Sequence, residues 1–392
     1  MTCAAGERVA RVALGRLGEP GDPRLARLVA ELGPVSVYDH LRGEQDVDGV
    51  VTDVAARLRG LDPEQDLERA GRQGIRFVCP GDREWPTRLE DLDRVGTLNG
   101  RGGAPLGLWV RGTGRLDELC DRSVAVVGSR SATTYGASVA GEIAAHLAGA
   151  GMTVVSGAAF GIDQAAHRGA LAARGPTVAV LACGVDRAYP TAHRELLRYI
   201  AETGLVVAEL PPASAPTKLR FLARNRMIAA LSLGTVVVEA AVRSGALNTA
   251  SWASLLHRAV MGVPGPVTSA PSEGVHELIR SRDGSLVTQG RDVLELVSPA
   301  GSFAQARLRA PDRPRDLLSA LEQQVLDAVP VAFPAPAWSV ARTAGVAERS
   351  VEEALTRLRA GGFVESSARG WRLASMDGAD TASVEELRAP GP

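Results

Sequence analysis

The stretch Val124-Ala125-Val126-Val127-Gly128-Ser129-Arg130 decides the fold, because a short apolar run ends in a glycine turn just before a helix-forming segment. A turn of this kind, with hydroxyl groups ahead of a helix, can hold an anion through backbone N–H groups and the helix dipole. Arg130 would add a bidentate contact to a phosphate group. Gly128, Ser129 and Arg130 are therefore candidate binding residues, although a strand–helix turn can also require glycine for packing alone.

The same alternation of strand and helix continues through the middle of the chain, from residue 123 to about residue 297. Apolar strands are predicted at 124–127, 153–155, 177–181, 205–207, 235–238 and 259–261, and helices at 138–150, 161–174, 194–202, 224–233 and 246–257. Continuous apolar strands joined by helices predict an α/β fold with a parallel sheet covered on both faces. Ligands of such sheets bind at the carboxyl ends of the strands, near the point where the strand order reverses.

The segments on either side of a central domain at 76–298 predict further domains. Residues 1–75 carry apolar residues at helical spacing, which indicates an N-terminal helical domain. Residues 299–316 are rich in Pro, Ala, Gly, Arg and Ser and indicate a linker. In residues 317–375, three short helices and a pair of strands form a winged-helix pattern. The small, polar and acidic tail at 376–392 is expected to be disordered.

The composition limits the class of protein. The chain has 392 residues and a net charge of −1, so any nucleic-acid binding must come from a local basic patch. The first residues do not form a secretory signal, and no stretch approaches the roughly 20 apolar residues of a membrane helix. We therefore expect a cytoplasmic protein with no membrane partner. The four cysteines are far apart, which argues against a metal site and a disulfide scaffold, and we expect no cofactor.

A second glycine-containing turn, at residues 156–161, follows the next predicted strand. Its small residues would let a backbone or a ligand approach closely. The candidate contacts in this turn are Ser156, Gly157, Ala159 and Gly161. Asp163 and His167 lie four residues apart on the helix that follows, so both side chains face the same side and can form a hydrogen bond. An acid–base pair is one interpretation, and we favour the other, in which the pair orders the loop.

The segment with the clearest binding chemistry is Lys218-Leu219-Arg220-Phe221-Leu222-Ala223-Arg224-Asn225-Arg226, which has four cations in nine residues and no acid. Cations that follow phosphates and an aromatic ring that stacks on a base suit an unpaired nucleic-acid strand. The candidate contacts in this segment are Lys218, Phe221, Arg224, Asn225 and Arg226. On composition alone, a helix start with basic residues on its solvent face and Phe221 in the core explains the segment equally well.

A third junction, after the strand that ends at residue 238, contains Glu239 and the pair Ser244-Gly245. Ser244 and Gly245 precede a helix and form another candidate anion site. Glu239 is either a general base or a residue that orders the neighbouring loops, and we predict the second role.

Six motifs in the order of the chain resemble the DNA-processing protein A (DprA/Smf) family. They are V-A-V-V-G-S-R, S-G-x-A-x-G-I-D-x-A-A-H, A-V-L-A-C-G-V-D-x-x-Y-P, F-x-x-R-N-R-x-I-A-A-L-S, V-V-V-E-A-x-x-x-S-G-A-L-x-T-A and V-P-G. The resemblance spans residues 82–297. It implies an extended Rossmann-like fold that binds single-stranded DNA and forms a homodimer. It also implies that the protein helps to load the RecA recombinase in DNA uptake, natural transformation and homologous recombination.

The resemblance further implies particular DNA contacts. The arginine of the G-S-R turn is Arg130, and the lysine and phenylalanine ahead of R-N-R correspond to Lys218 and Phe221. Leu222 stands where the family usually has proline, which leaves Phe221 less rigidly held. A protein of this kind binds DNA and is not an enzyme.

Two other functions stay open at this point. A Rossmann-like phosphoribohydrolase cleaves the glycosidic bond of nucleoside monophosphates, but its expected P-G-G-x-G-T cradle is replaced by Ser244-Gly245-Ala246 after Glu239. The C-terminal domain is the basis of the second alternative, a regulator that reads duplex DNA. The acidic and basic residues of its candidate recognition helix, between Glu348 and Arg359, cancel in charge, whereas a duplex reader normally has a basic face.

Overall fold

A computed structural model describes residues 3–43, 53–281, 283–303 and 314–374. The chain forms two compact units that divide between residues 304 and 305. The first unit contains the N-terminal helices together with a large α/β region, and the second contains the C-terminal elements. The tail predicted at 376–392 lies outside the described residues, as does most of the predicted linker. The domain boundaries stay a prediction.

The first unit is built around a large sheet. Its strands are β1 (Ile75–Val78), β2 (Leu108–Arg111), β3 (Ser123–Val127), β4 (Thr153–Ser156), β5 (Thr177–Leu181), β6 (Leu205–Ala208), β7 (Gly234–Val237), β8 (Ala259–Gly262) and β9 (Ser285–Leu286). In the part of the chain that the structure describes, they pair in the order β1-β2-β6-β5-β4-β3-β7-β8-β9. Strands β3–β8 confirm the predicted parallel sheet. Strands β1 and β2 were not predicted, and β2 pairs with β6 in antiparallel orientation.

The strand order reverses at β3, which pairs with β4 on one side and with β7 on the other. The turn after β3 and the turn after β7 are therefore neighbours at the carboxyl edge of the sheet. The backbone N–H of Ser129 donates a hydrogen bond to the carbonyl oxygen of Glu239 at 2.6 Å, which joins the two turns. A crevice at such a reversal is the usual ligand site of open α/β sheets.

Helices cover both faces of the sheet. The helices of the first unit are α1 (Ala5–Leu17), α2 (Pro23–Leu32), α3 (Pro34–Gly43), α4 (Asp53–Arg59), α5 (Pro63–Arg72), α6 (Leu116–Asp121), α7 (Thr134–Gly149), α8 (Ile162–Ala172), α9 (Arg194–Thr203), α10 (Lys218–Leu231), α11 (Gly245–Leu255), α12 (Ala270–Arg280) and α13 (Gly290–Val297). On β3, Val124 and Val126 pack in one core with α7 and α8. Ala125 and Val127 pack in the opposite core with α10 and α11.

Helix α10 begins six residues earlier than the sequence predicted. Thr217 caps it, because its hydroxyl accepts a hydrogen bond from the backbone N–H of Arg220 at 3.3 Å. Every residue from Ala223 to Leu231 is buried, including Arg224, Asn225 and Arg226, so polar residues do not mark a solvent face and the helical period was not visible in the sequence. The early start places Lys218 and Phe221 on the first turn of a helix.

The N-terminal helices share a small core that includes Leu14, Tyr38 and Leu58. Helices α1–α5 lie in the region where the sequence predicted helices. None of the helices in the described ranges is long and apolar enough to span a membrane.

In residues 314–374, the described part of the second unit, there are three α-helices and a hairpin. Its elements are α14 (Ala320–Ala328), α15 (Ala337–Ala344), α16 (Glu348–Ala360), β10 (Val364–Ser367) and β11 (Gly370–Leu373). The two strands are antiparallel, and Val325, Val351 and Leu355 lie at the centre of the core. The elements and their order agree with the sequence prediction, and their assignment as a winged helix stays a prediction.

Candidate functional site

An open cleft lies at the carboxyl edge of the sheet, where the strand order reverses, and encloses about 810 Å³. Its walls come from the turn after β3, the loop after β4, the first turns of α10 and the junction between β7 and α11. Eleven of the predicted site residues line it, namely Gly128, Ser129, Arg130, Ala159, Asp163, Lys218, Phe221, Arg224, Asn225, Ser244 and Gly245. Residues from distant motifs therefore meet at one surface.

An arginine and an aromatic ring lie against each other inside this cleft. The guanidinium carbon of Arg130 is 4.6 Å from the ring centroid of Phe221, and that of Arg224 is 5.8 Å away. A guanidinium within about 6 Å of a ring centroid is attracted to the ring. Phe221 is half-buried and lines the cleft. It does not belong to any of the hydrophobic cores among the described residues.

Tyr189 is a second aromatic residue of the cleft that the sequence analysis did not single out. Its ring centroid is 5.7 Å from that of Phe221, with an angle of 51° between the ring planes. Its side chain is 44% exposed, so one part of the ring is open to a ligand. The sequence did contain an indication of this residue, since Tyr189 is the tyrosine of the A-V-L-A-C-G-V-D-x-x-Y-P motif. Only the folded chain shows that it lies beside Phe221.

The cleft has a surplus of positive charge. Arg130, Lys218 and Arg243 line it and are exposed. None of these three cations forms a hydrogen bond or an ion pair with another residue in the part of the chain that the structure describes. The acidic lining is limited to Asp163. The cleft is thus the local basic patch that a chain with a net charge of −1 needs in order to bind a polyanion.

Arg224 forms part of the floor of the cleft and is 7% exposed. One of its terminal nitrogens donates a hydrogen bond to the carbonyl oxygen of Val180 at 2.6 Å. A Cβ atom at Gly157 would lie 1.9 Å from the same nitrogen, so glycine is needed at this position to leave room for the guanidinium. Burial lowers the pKa of Arg224 to about 10, and the nearby Asp163 opposes this shift. Arg224 therefore keeps its charge at neutral pH.

Asp163 and His167 do not bond to each other. The Asp163 carboxylate accepts a hydrogen bond from the backbone N–H of Ala159 at 3.3 Å, which orders the loop after β4. Burial raises the pKa of Asp163. His167 instead contacts Thr177, and both residues are buried.

Glu239 holds the helix that follows the first glycine turn. Its two carboxylate oxygens accept hydrogen bonds from the backbone N–H and the hydroxyl of Thr133, at 3.0 Å and 2.5 Å. Glu239 is 2% exposed and lies outside the cleft lining. Both oxygens are thus engaged with the N-cap of α7 rather than directed at a ligand.

Three further predicted contacts lie behind the cleft surface. The Ser156 hydroxyl donates to the carbonyl oxygen of Val126 at 2.6 Å. Gly161 has φ +78°, and a Cβ atom there would lie 2.3 Å from the carbonyl oxygen of Ser129. Arg226 is fully buried and forms a bidentate ion pair with Glu209, with both contacts at 2.7 Å. These residues shape the turns and fix α10.

The remaining cleft residues have mixed roles. The Asn225 amide donates to the carbonyl oxygen of Gly245 at 3.1 Å and so joins α10 to the start of α11. The Ser244 hydroxyl caps α11 by accepting from the N–H of Ala246 at 3.3 Å. The N–H of Ser129 is already used by Glu239. Some of the backbone amides predicted to bind an anion are therefore already hydrogen-bonded within the protein. Most of the positive charge of the cleft comes from the side chains of Arg130, Lys218 and Arg243, which are unpaired within the described ranges.

The fold and the cleft together define an α/β protein of the Rossmann-like class whose switch-point site suits a polyanion with aromatic bases. Residues 76–298 match the family described as DNA recombination-mediator protein A. A Mycobacterium tuberculosis protein that carries the name DNA processing protein DprA is 42% identical over 362 residues, which cover 92% of each chain. The DprA of Streptococcus pneumoniae is 42% identical over 191 residues, which cover 49% of this chain and 66% of that protein.

The solved structures agree with this assignment. The X-ray structure of DprA from Streptococcus pneumoniae superposes with a TM-score of 0.61 and 29% sequence identity, and the alignment covers 76% of this chain and 99% of that chain. The chain therefore belongs to the DNA recombination-mediator protein A family, also called DprA/Smf. This confirms the resemblance that the six motifs indicated.

Proposed function

We propose that this protein binds single-stranded DNA in the switch-point cleft without altering it chemically. We further propose that it promotes loading of the RecA recombinase during DNA uptake, natural transformation and homologous recombination. The observation that carries the binding proposal is the position of Arg130 beside Phe221 in a cleft with free cations. Family membership supports the role in recombination.

The aromatic pair favours an unpaired strand over a duplex. Phe221 is half-buried inside the cleft, and Tyr189 lies next to it. A base can reach such a ring with its face only when it is not stacked inside a double helix. Stacking of this kind tolerates every base, because each base has a π face. We therefore expect binding to single strands with little sequence preference.

The contacts divide into two groups. Arg130, Lys218 and Arg243 are exposed and would contact phosphates, while Phe221 and Tyr189 would stack on bases. Six other predicted site residues lie outside the cleft lining: Ser156, Gly157, Gly161, His167, Arg226 and Glu239. Asp163, Arg224 and Asn225 belong to the lining, where their hydrogen bonds fix its walls. Gly128, Ser129, Ala159, Ser244 and Gly245 line the cleft with backbone and small side chains, which lets a strand approach closely.

The direct test measures binding of fluorescent oligothymidylate by anisotropy over a series of salt concentrations. We expect Arg130→Ala and Lys218→Ala to weaken binding to all sequences alike, and to lower the slope of log K against log salt by about 0.7 for each lost phosphate contact. Arg168→Ala is the matched control, because Arg168 is exposed on α8 and does not line the cleft. If both cleft variants bound like the wild type, or if duplex bound as tightly as single strands, the proposal would be wrong.

The recombination role needs a separate measurement. RecA hydrolyses ATP when it assembles on single-stranded DNA, so the lag before hydrolysis reports nucleation. We expect the wild-type protein to shorten this lag and Arg130→Ala to lose the effect. The proposed homodimer is tested independently by sedimentation equilibrium, which would give the mass of one chain if the proposal were wrong.

The contacts of Glu239 favour binding over the phosphoribohydrolase alternative. An enzyme of that class needs a carboxylate that faces the substrate, whereas both oxygens of Glu239 are engaged with Thr133 outside the cleft lining. We expect no free base to be released from AMP or dAMP. Release of base that depended on Glu239 would support the enzyme instead.

A further inference from the structure

A second groove adjoins the cleft and continues its surface. The two share Tyr189 and Pro216 as wall residues, and the second groove encloses about 640 Å³. It leads from the loop after β5, past α9, to Arg111 at the end of β2. All of these elements belong to the first compact unit.

This groove is basic, and three of the four arginines in its described lining are unpaired. Arg111, Arg187 and Arg194 line it and are exposed. Within the described ranges, none of the three side chains forms a hydrogen bond or an ion pair. Three guanidinium groups along one groove repel one another unless an anion lies between them. These arginines form no motif in the sequence, because they come from separate segments.

The acids of the groove are already engaged. Both carboxylate oxygens of Asp186 are 2.9 Å from the backbone N–H of Ala213, from which they accept a hydrogen bond. Glu195 accepts a hydrogen bond from Arg198 at 2.9 Å, and the same arginine also binds Glu202. The described lining has four arginines against the two acids Asp186 and Glu195, so the groove keeps a surplus of positive charge.

We infer that this second groove binds the phosphates of the same DNA strand as it leaves the cleft past Tyr189. The inference rests on the proposed function of the cleft. Among the described residues that line the groove, Tyr189 is the one aromatic residue, so the groove offers no further ring on which bases could stack. Arg187 and Arg194 thus bind the backbone, since a guanidinium matches the geometry of a phosphate. The bound strand is longer than the cleft alone can hold.

The experiment uses the full chain and a length series of oligothymidylates from about 4 to about 16 nucleotides, the range of site sizes of common single-strand binders. The test variant is Arg187→Gln combined with Arg194→Gln. We expect this variant to bind the shortest oligonucleotide that the wild type still binds with the same affinity as the wild type. On the longest it should bind several-fold more weakly, with a salt slope lower by about 1.4, which is about 0.7 for each of two lost phosphate contacts.

The matched control combines Arg168→Gln with Arg174→Gln. It removes the same charge from exposed positions that line neither groove. We expect the control to follow the wild type at every length. Thermal unfolding of each variant shows whether the fold is intact.

The outcomes separate this inference from the proposed function. A test variant that binds every length like the wild type overturns the inference, and so does an equal loss at all lengths or the same loss in the control. In each of these cases, dependence on Arg130 with the shortest oligonucleotide still supports the cleft. If Arg130→Ala binds all lengths like the wild type, the proposed function itself fails.

Discussion

The guanidinium carbon of Arg130 lies 4.6 Å from the ring centroid of Phe221, although the two residues are far apart in the sequence. Arg130 follows β3, and Phe221 lies on the first turn of α10. The contact holds the ring at the cleft surface, where the exposed Tyr189 also approaches it. The proposed phosphate contact and the proposed stacking surface are thus side by side before any ligand binds, which would reduce the ordering cost of binding.

Phe221→Ala should weaken binding to single-stranded DNA while the fold stays intact. Loss of one stacked base costs about 1–3 kcal/mol, which raises the dissociation constant roughly 5- to 150-fold. Phe221→Tyr keeps the ring and should bind within a few-fold of the wild type. Anisotropy titrations with oligothymidylate check both variants. Equal affinity of Phe221→Ala and the wild type would show that the ring does not contact the ligand.

Gly157→Ala should destabilise the protein and impair the cleft together. Its Cβ atom would lie 1.9 Å from a terminal nitrogen of Arg224, which would have to leave the carbonyl oxygen of Val180. A buried charged group that loses its hydrogen bond costs about 1–3 kcal/mol or more. Denaturant unfolding measures the loss.

Gly245→Ala is the control for the loss of stability, because it makes the same glycine-to-alanine change and no atom approaches within 4 Å of a Cβ at Gly245. Gly245 is the first residue of α11, where alanine restricts the unfolded chain, and we expect no loss or a gain of about 0.4–1 kcal/mol. Similar losses for the two variants would contradict the argument from the contact with Arg224.

Arg226→Ala should cost far more stability than Arg220→Ala on the same helix. Arg226 is fully buried, and its removal leaves Glu209 without its partner, which costs about 3–5 kcal/mol for a buried pair. Arg220 pairs with Glu19 nearer the surface, where such pairs contribute about 0–1 kcal/mol. Urea unfolding of both variants gives the comparison. Equal losses would mean that the Arg226 pair is not a structural contact of α10.

The sequence predicted the parallel part of the sheet because β3–β8 are short and continuously apolar. The strands β1 and β2 escaped detection because they extend the sheet in antiparallel orientation outside the repeating strand–helix pattern. The winged-helix assignment and the exact domain boundaries rest on the sequence pattern alone.

The sequence placed Arg130, Lys218 and Phe221 in one site through the family resemblance, and the structure brings them together. The sequence could not show that Arg226 is a buried structural residue and Lys218 an exposed residue of the cleft, since both are cations of one segment. Their different positions depend on Glu209, a partner from another part of the chain. Local sequence does not encode such long-range contacts, and the contact between Tyr189 and Phe221 was invisible for the same reason.

The protonation of His167 should make the fold sensitive to acid. The Thr177 hydroxyl donates its proton to the carbonyl oxygen of Val154 at 2.6 Å, so at 2.7 Å it can only accept from Nδ1 of His167. Nδ1 therefore carries a proton, and any further proton would bind at Nε2. Nε2 is buried and has no hydrogen-bond partner among the described residues. Burial lowers the pKa of His167 from 6.5 to about 3.

A histidine whose pKa is lower in the folded than in the unfolded state binds protons preferentially after unfolding. Its contribution to stability is complete above about pH 6.5 and is lost progressively as the pH falls toward 3. Asparagine can replace the Nδ1–H donor but does not titrate. We therefore expect His167→Asn to be less stable at pH 7 and to lose less stability than the wild type between pH 6.5 and pH 4. Urea unfolding at a series of pH values checks this, and parallel pH profiles of the two proteins would show that His167 is not the group responsible.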